Sequence, residues 1–340
     1  MKTIFQCIVI SVLCLHSCMT RQPLQQGDPV IIDVHRAINK PPEKQPLSSF
    51  AKSCKYVPLE TNSESVFRGI RSLYLTGQYI ITVTYESCLV FDRETGKFIR
   101  KIGTKGPGPN EYNGIRCAAF DEARQWIYLI SNYNGALLCF DTEGKIVSYI
   151  PRFNKHQISK WDLLDSTAYV GSIGNLTGDN EKRMVVGNFR EDSVYVIPNH
   201  DFFPFSSRDG NSVLVSPLNG DVKFYQFENG LYVKEYFNDT IFEIRKPHDL
   251  YPKYVFELGE RVPPDLRGQT EKLGEQLSQY LVHSQSQETK DHLFSLFEYG
   301  NKMYPGIFDK KKQVLNIVDV SDQFPTGLEN DISGGIPFWP

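Results

Sequence analysis

The sequence predicts an all-β propeller with four-stranded blades. Three observations carry this: a repeated Gly-Ile-Arg opening, a repeated Phe-Asp hairpin, and units recurring about every 40 to 45 residues. The stretch GIRSLYLTGQYIITVTYESCLVFDRETGKFIRKIG begins at Gly69, and GIRCAAFDEARQWIYLISNYNGALLCFDTEGKIVSYI begins at Gly114. Both run through a short strand, a polar turn and an aromatic, β-branched strand. Both then reach Phe-Asp and a turn ending in Gly-Lys, FDRETGK at 91–97 and FDTEGK at 140–145. The alternation at 79–84 and 126–130 suits strands with one buried face.

Three looser copies follow. The third runs from Ile158 through KWDLLDSTAYVGSIG to DSVYVIP. The fourth is SVLVSPLNGDVKFYQFENGLYVKEYFNDTIFEI, in which Asn219-Gly220 predicts a hairpin. The fifth runs from Tyr280 through HLFSLFEYGNKMYPGIFDKKKQVLNIVDV. A β-sandwich would need the in-register Gly-Ile-Arg and Phe-Asp…Gly-Lys pairs to be coincidences. The glycine-rich KIGTKGPGPNEYNGI at 101–115 lacks the spacing of a phosphate loop, and Pro107 and Pro109 remove amide donors. It reads as a crossover between blades. One segment departs from the β pattern: PDLRGQTEKLGEQLSQYL places Leu266, Leu273, Leu277 and Leu281 on one face of a short amphipathic helix near 264–281.

The N-terminus carries an address. Lys2 precedes an apolar stretch from Ile4 to Leu15, too short to span a bilayer. The sequence Leu15-His16-Ser17-Cys18 resembles a bacterial lipobox, with His16 departing from the usual small or aliphatic residue. It implies a signal peptide at 1–17, lipidation of Cys18 and anchorage without a span. Residues 18–50, rich in Pro, Gln and Lys, read as a tether to a propeller domain at 51–340. Of seven cysteines, Cys54, Cys88, Cys117 and Cys139 stay clear of the address segment and form no CxxC pair. They read as buried free thiols, with a disulfide open to an exported chain. The 340 residues, 40% hydrophobic and 13% aromatic, can bury a large core. A net charge of −3 offers no basic footprint for nucleic acid.

Four stretches resemble a known group: the lipobox, IGTKGPGPNEY, YFNDTIFEI…PKYVFELG at 236–259, and the terminal NDISGGIPFWP. They are similar to the six-bladed, NHL-like β-propeller lipoproteins of Bacteroidales-type bacteria, whose members are mostly uncharacterised. The resemblance implies six blades and a place in the cell envelope, on the outer membrane. The lack of an acidic run after Cys18 favours the periplasmic side. Members of the group continue past the Phe-Trp-Pro motif, so the last blade is expected to be partial. CKYVPLET at 54–61 is expected to pair with it as a closing strand.

Signatures of catalysis are sparse. HExxH, an EF-hand loop, Walker A and Gly-x-Ser-x-Gly are absent from the sequence, and the histidines form no close ligand pair. Arg71, Arg116 and Lys160 fall in register on the first strands of successive repeats. They could ring one mouth of the channel and attract an acidic ligand, a carboxylated sugar or an acidic protein loop. Alternatively, each pairs with a neighbouring carboxylate as a structural bridge. Two function classes stay open. One is a lipid-anchored module binding a glycan or protein. The other is an NHL- or lactonase-like hydrolase or lyase holding a divalent metal such as Ca²⁺ through channel-facing Asp, Asn and Glu, with Asp162 among the candidates but no visible set. Asp165-Ser166-Thr167, Asp192-Ser193-Val194 and Asp239-Thr240-Ile241 look like the short O-glycosylation acceptors of that bacterial group, although hairpin turns favour the same residues. Intact-mass measurement of the native protein should show hexose-sized increments if these sites are used, and the mass of an unmodified chain if they are only turns.

Overall fold

Both complete Gly-Ile-Arg repeats open on a glycine in the left-handed region, Gly69 at φ +66° and Gly114 at φ +78°. Glycine reaches that region without a Cβ clash. At Gly114 the space is closed as well, because a Cβ there would lie 2.5 Å from the Tyr85 ring. The chain is described by a computed structural model for residues 27–108, 111–190, 194–206, 208–209, 212–245, 249–320, 327–335, 337 and 339–340. The expected signal peptide, Cys18 and Asp192-Ser193 lie outside these residues.

Five sheets of four consecutive antiparallel strands form the blades. Blade 1 contains Ser72–Leu75, Tyr79–Val83, Cys88–Asp92 and Phe98–Ile102. Blade 2 contains Ile115–Asp121, Trp126–Ser131, Leu137–Asp141 and Ile146–Ile150. Blade 3 has Lys160–Leu163, Ala168–Ser172, Lys182–Asn188 and Val194–Pro198. Blade 4 has Val222–Phe227, Gly230–Glu235, Thr240–Arg245 and Asp249–Glu257. Blade 5 has Val282–Glu288, His292–Tyr299, Lys302–Asp309 and Val314–Ile317. The first strands of successive blades adjoin in chain order. Cores form between neighbouring sheets, as where Ile81, Val83 and Val90 of blade 1 meet Ala118, Ile127 and Leu129 of blade 2.

The expected sixth blade is therefore corrected to five among the described residues. Between blades 5 and 1 the described residues of an N-terminal and a C-terminal segment form no further sheet. Isolated parallel bridges join Glu43 to Val318 and Pro46 to Glu329. Leu47, Phe50 and Leu328 cover Phe294 and Ile307 of blade 5. CKYVPLET forms no strand. Pro58 and the side-chain demands of Glu60 hold it elsewhere: the Glu60 amide donates to Gly96 O at 2.9 Å, and its carboxylate accepts from the Phe98 amide. Val57 and Leu59 then pack on Ile80, Leu89 and Phe91 of blade 1.

The tether is shorter than expected. Val30–Asp33 is a strand, paired parallel to Asp249–Glu257 at the outer edge of blade 4, and Val34–Ile38 is helical. Val34 and Ala37 are buried there, so apolar burial outweighs the polar composition of the flanks. Asn219-Gly220 sits in a 3-10 turn, Pro217–Gly220, and the hairpin falls at Glu228-Asn229 instead. The insertion near 264–281 is helical but broken into Pro264–Arg267, Thr270–Gln276 and Leu277–Gln279. Gly268 marks the break, where its backbone packs so closely on Pro204 O that a Cβ would clash.

The acidic turn residues act as turn formers. Asp92 Oδ1 accepts from the Glu94 and Thr95 amides, and Asp309 Oδ1 from those of Lys311 and Lys312. Thr240 is buried, which removes its hydroxyl from any modifying enzyme acting on the folded chain. Cys54, Cys88, Cys117 and Cys139 are all free thiols, and the last three are buried.

Blades 4 and 5 are locked by Glu288. Its side chain is 1% exposed and accepts from Tyr225 Oη at 2.9 Å, Tyr254 Oη at 2.6 Å and Lys310 Nζ at 2.6 Å. Farther along this seam Lys234 and His283 are buried, and burial pushes the Lys234 amine down to about 7 and holds the imidazole well below its usual range. Glu288→Ala leaves Lys310 without its counter-ion and two phenols without an acceptor. It should cost about 3–5 kcal/mol, measured by urea unfolding.

Candidate functional site

Strand direction divides the propeller into two faces. One face carries the first-to-second and third-to-fourth strand turns, including the Asp-centred hairpins. The other carries the second-to-third strand loops and the crossovers that enter each blade. Arg71, Arg116 and Lys160 stand at the entries of blades 1, 2 and 3 on this crossover face.

The structure brings these three cations together. All three act electrostatically on the Cys117 thiol, each favouring its thiolate, although burial dominates and pushes the thiol up to about 12. Arg71 Nη1 donates to Ile115 O at 3.3 Å and Arg116 O at 3.2 Å. Arg116 Nη1 donates to Ile158 O at 3.3 Å. Each arginine thus reaches the entry of the next blade, and the partner is a backbone carbonyl, not the neighbouring carboxylate of the bridge alternative. These contacts tether each guanidinium through Nη1 without neutralising it. Lys160 is exposed, and no described carboxylate lies within ion-pair distance of any of the three.

Further along the channel, first strands from three blades converge on Asp162. Its carboxylate accepts from the Leu163 amide at 2.7 Å and from Gln226 Nε2 at 3.4 Å; burial, and after it the Asp162 charge, raises the Tyr74 phenol. Burial pushes the Asp162 carboxyl up to about 6. The set does not fit a divalent cation. Gln226 turns its N–H toward the carboxylate, and the described residues contain no group of three His, Cys, Asp or Glu that could hold a metal.

Residues that sequence reasoning passed over complete the face. Arg71 stacks over the Tyr85 ring, 5.0 Å from its centroid, and Tyr85 Oη accepts from Asn132 Nδ2 at 3.3 Å. Asn132 is anchored by its amide on Gly114 O at 2.8 Å. Asn154 Nδ2 shares Ile158 O with Arg116. The Tyr in each second-to-third strand loop of blades 1 and 2 (TYES and SNYNG) was the available signal, and it is masked by its dissimilar flanks.

Clefts also open on this face. One, of about 280 Å³ between blades 3 and 4, is lined by Arg183, Asp201, Glu235 and Arg261. Its charges are matched: Arg183 with Glu235, Arg261 with Asp239, and the buried Arg267 of the helical insertion with Asp201. The other, of about 500 Å³ beside blade 5, is lined by Lys40, Lys302 and Tyr304 among others.

The family described as "Domain of unknown function (DUF4934)" matches residues 29–340. The chain belongs to the DUF4934 family. The DUF4934 fold is shared with two solved structures. A "Putative exported protein" of Bacteroides fragilis NCTC 9343 is 16% identical with a TM-score of 0.64, over 85% of this chain and 80% of that one. A member of the DUF4221 family from Bacteroides vulgatus is 11% identical with a TM-score of 0.53, over 77% of this chain and 83% of that one. No curated protein matches. At these identities the likeness to solved structures concerns the fold alone. Within this DUF4934 chain no described helix is long and apolar enough to cross a membrane.

The raised carboxyl of Asp162 makes a pH prediction. The folded chain holds this proton up to about pH 6, whereas the unfolded chain releases it near its ordinary value of 3.8. Between those values the folded state binds more protons, so stability is lost as pH rises through that window. Asp162→Asn should remove that loss and raise stability at pH 7 by on the order of 3 kcal/mol, read from urea unfolding at pH 4 and pH 7.

Proposed function

We propose that this protein is a non-enzymatic binding module whose crossover face takes a ligand bearing carboxylates, held by Arg71, Arg116 and Lys160. The supporting observation is that two guanidinium groups are oriented by backbone carbonyls with their charge unneutralised, next to an exposed ammonium. Water-facing cations fixed in this way are preorganised for a carboxylate, and an arginine fork matches carboxylate geometry. Catalysis by a channel metal has less support, because among the described residues Asp162 belongs to no group of three His, Cys, Asp or Glu that could hold a metal. The proposal includes a lipid anchor at Cys18 on the periplasmic side of the outer membrane, resting on the lipobox; the neighbour from B. fragilis, named for export, is in keeping with it.

Lys160 is the clean probe, because its side chain is exposed and carries no structural hydrogen bond among those described. Lys160→Ala should weaken binding of a poly-glutamate peptide several-fold at low salt, with unfolding unchanged. Arg116→Gln should weaken it further. Equal affinity of all three proteins in titration calorimetry, or failure of the parent protein to bind either poly-glutamate or a carboxylated oligosaccharide, would overturn the reading.

A further inference from the structure

The cations do not stand alone on their face. Tyr133, in the second-to-third strand loop of blade 2, is 78% exposed, and Tyr85 in the equivalent loop of blade 1 is 40% exposed. A phenol ring left this open at a loop tip contributes little to folding, since nothing covers it. Yet its neighbourhood is built. Asn132, next in sequence, is pinned at both ends, by Gly114 O and by Tyr85 Oη, and Tyr85 in turn lies under Arg71. The following residues are also fixed: the Asn134 side chain accepts from the Ala136 amide at 3.0 Å, and the Asn154 amide donates to Gly135 O at 2.8 Å. Asn154 then leads to the carbonyl that holds Arg116. Aromatic rings, side-chain amides and uncompensated cations therefore alternate along one strip, from the entry of blade 1 to the entry of blade 3.

We propose that the carboxylate ligand of this face is an acidic glycan, a chain of uronic or similarly carboxylated sugars. The inference rests on the binding reading above and specifies its ligand. Each element answers one part of such a sugar. A tyrosine ring offers a flat apolar surface for the C–H face of a pyranose, with a polar tip left in water. Asn132 Oδ1 and Asn134 Nδ2, which carry no hydrogen bond among those described, offer an acceptor and a donor to neighbouring hydroxyls. Arg71, Arg116 and Lys160, one per blade, match a polymer with a charge in each repeating unit. An acidic peptide would use the cations equally well but leave the open Tyr133 ring without a role. Arginine clusters also read acidic peptides, so the exposed Tyr133 ring is the feature that favours the sugar.

The test compares three probes by calorimetry at low salt: an oligogalacturonate, the same oligosaccharide with its carboxyls reduced to alcohols, and poly-glutamate. The parent protein should bind the oligogalacturonate, and carboxyl reduction should weaken binding at least tenfold. Tyr133→Ala, at an exposed loop tip, should weaken oligogalacturonate binding about tenfold while leaving poly-glutamate unchanged. Lys160→Ala should weaken both. If Tyr133→Ala binds oligogalacturonate like the parent, or if poly-glutamate binds as tightly as the sugar, the glycan assignment is overturned and the carboxylate-binding reading stands. If neither charged probe binds, both fall.

Discussion

A four-stranded sheet has two faces to cover, and only another sheet on each side covers both. That constraint governs this chain. Aliphatic residues on both faces of the second and third strands of blade 1 are fully or nearly fully buried, a pattern that no single hairpin can satisfy. The arginine-to-carbonyl contacts follow from it. When sheets stack radially, the entry of one blade comes within reach of the first strand of the blade before it, and a guanidinium can close that seam without a second charge. The same geometry leaves the cationic surface on the crossover face.

At the two ends of the array the constraint has no neighbouring sheet to meet it, and irregular chain does the covering. Leu47, Phe50, Leu328 and Trp339 shield blade 5, while Val57, Leu59 and Phe67 shield blade 1. The cover is incomplete on blade 1, where Leu73 and Leu75 of the first strand stay 51% and 57% exposed. Residues 54 to 57 pass from one shield to the other, and Asn330 ties the two through Tyr56 Oη at 2.8 Å.

Repetition made the propeller legible in the sequence, because Gly-Ile-Arg and Phe-Asp…Gly-Lys mark positions where backbone geometry restricts the residue. Gly69, Gly114, Gly96 and Gly144 all have positive φ. The register of Arg71, Arg116 and Lys160 could be read for the same reason. The number of blades could not, because the segments expected to make a sixth blade form only isolated bridges among the described residues. Nor could Val30–Asp33: its four residues look like any short apolar run in a polar leader, and only the free edge of blade 4 makes it a strand. The partners of the arginines were illegible in principle, since a backbone carbonyl leaves no signature in sequence. Asp162 was visible as a residue, but its burial beside Gln226 and Tyr74 depends on three strands far apart in the chain.

The buried thiols carry a consequence for how the protein is made. Burial pushes Cys88, Cys117 and Cys139 each up to about 12, so in the folded chain they are protonated and out of reach of an oxidant. The unfolded chain has no such shelter. In an oxidising compartment, folding therefore races against cross-linking, and the sheets of blades 1 and 2 must close before their cysteines meet a partner. A chain with this arrangement needs no disulfide to hold its fold, and it gains from a compartment or chaperone that delays oxidation until those two sheets have formed.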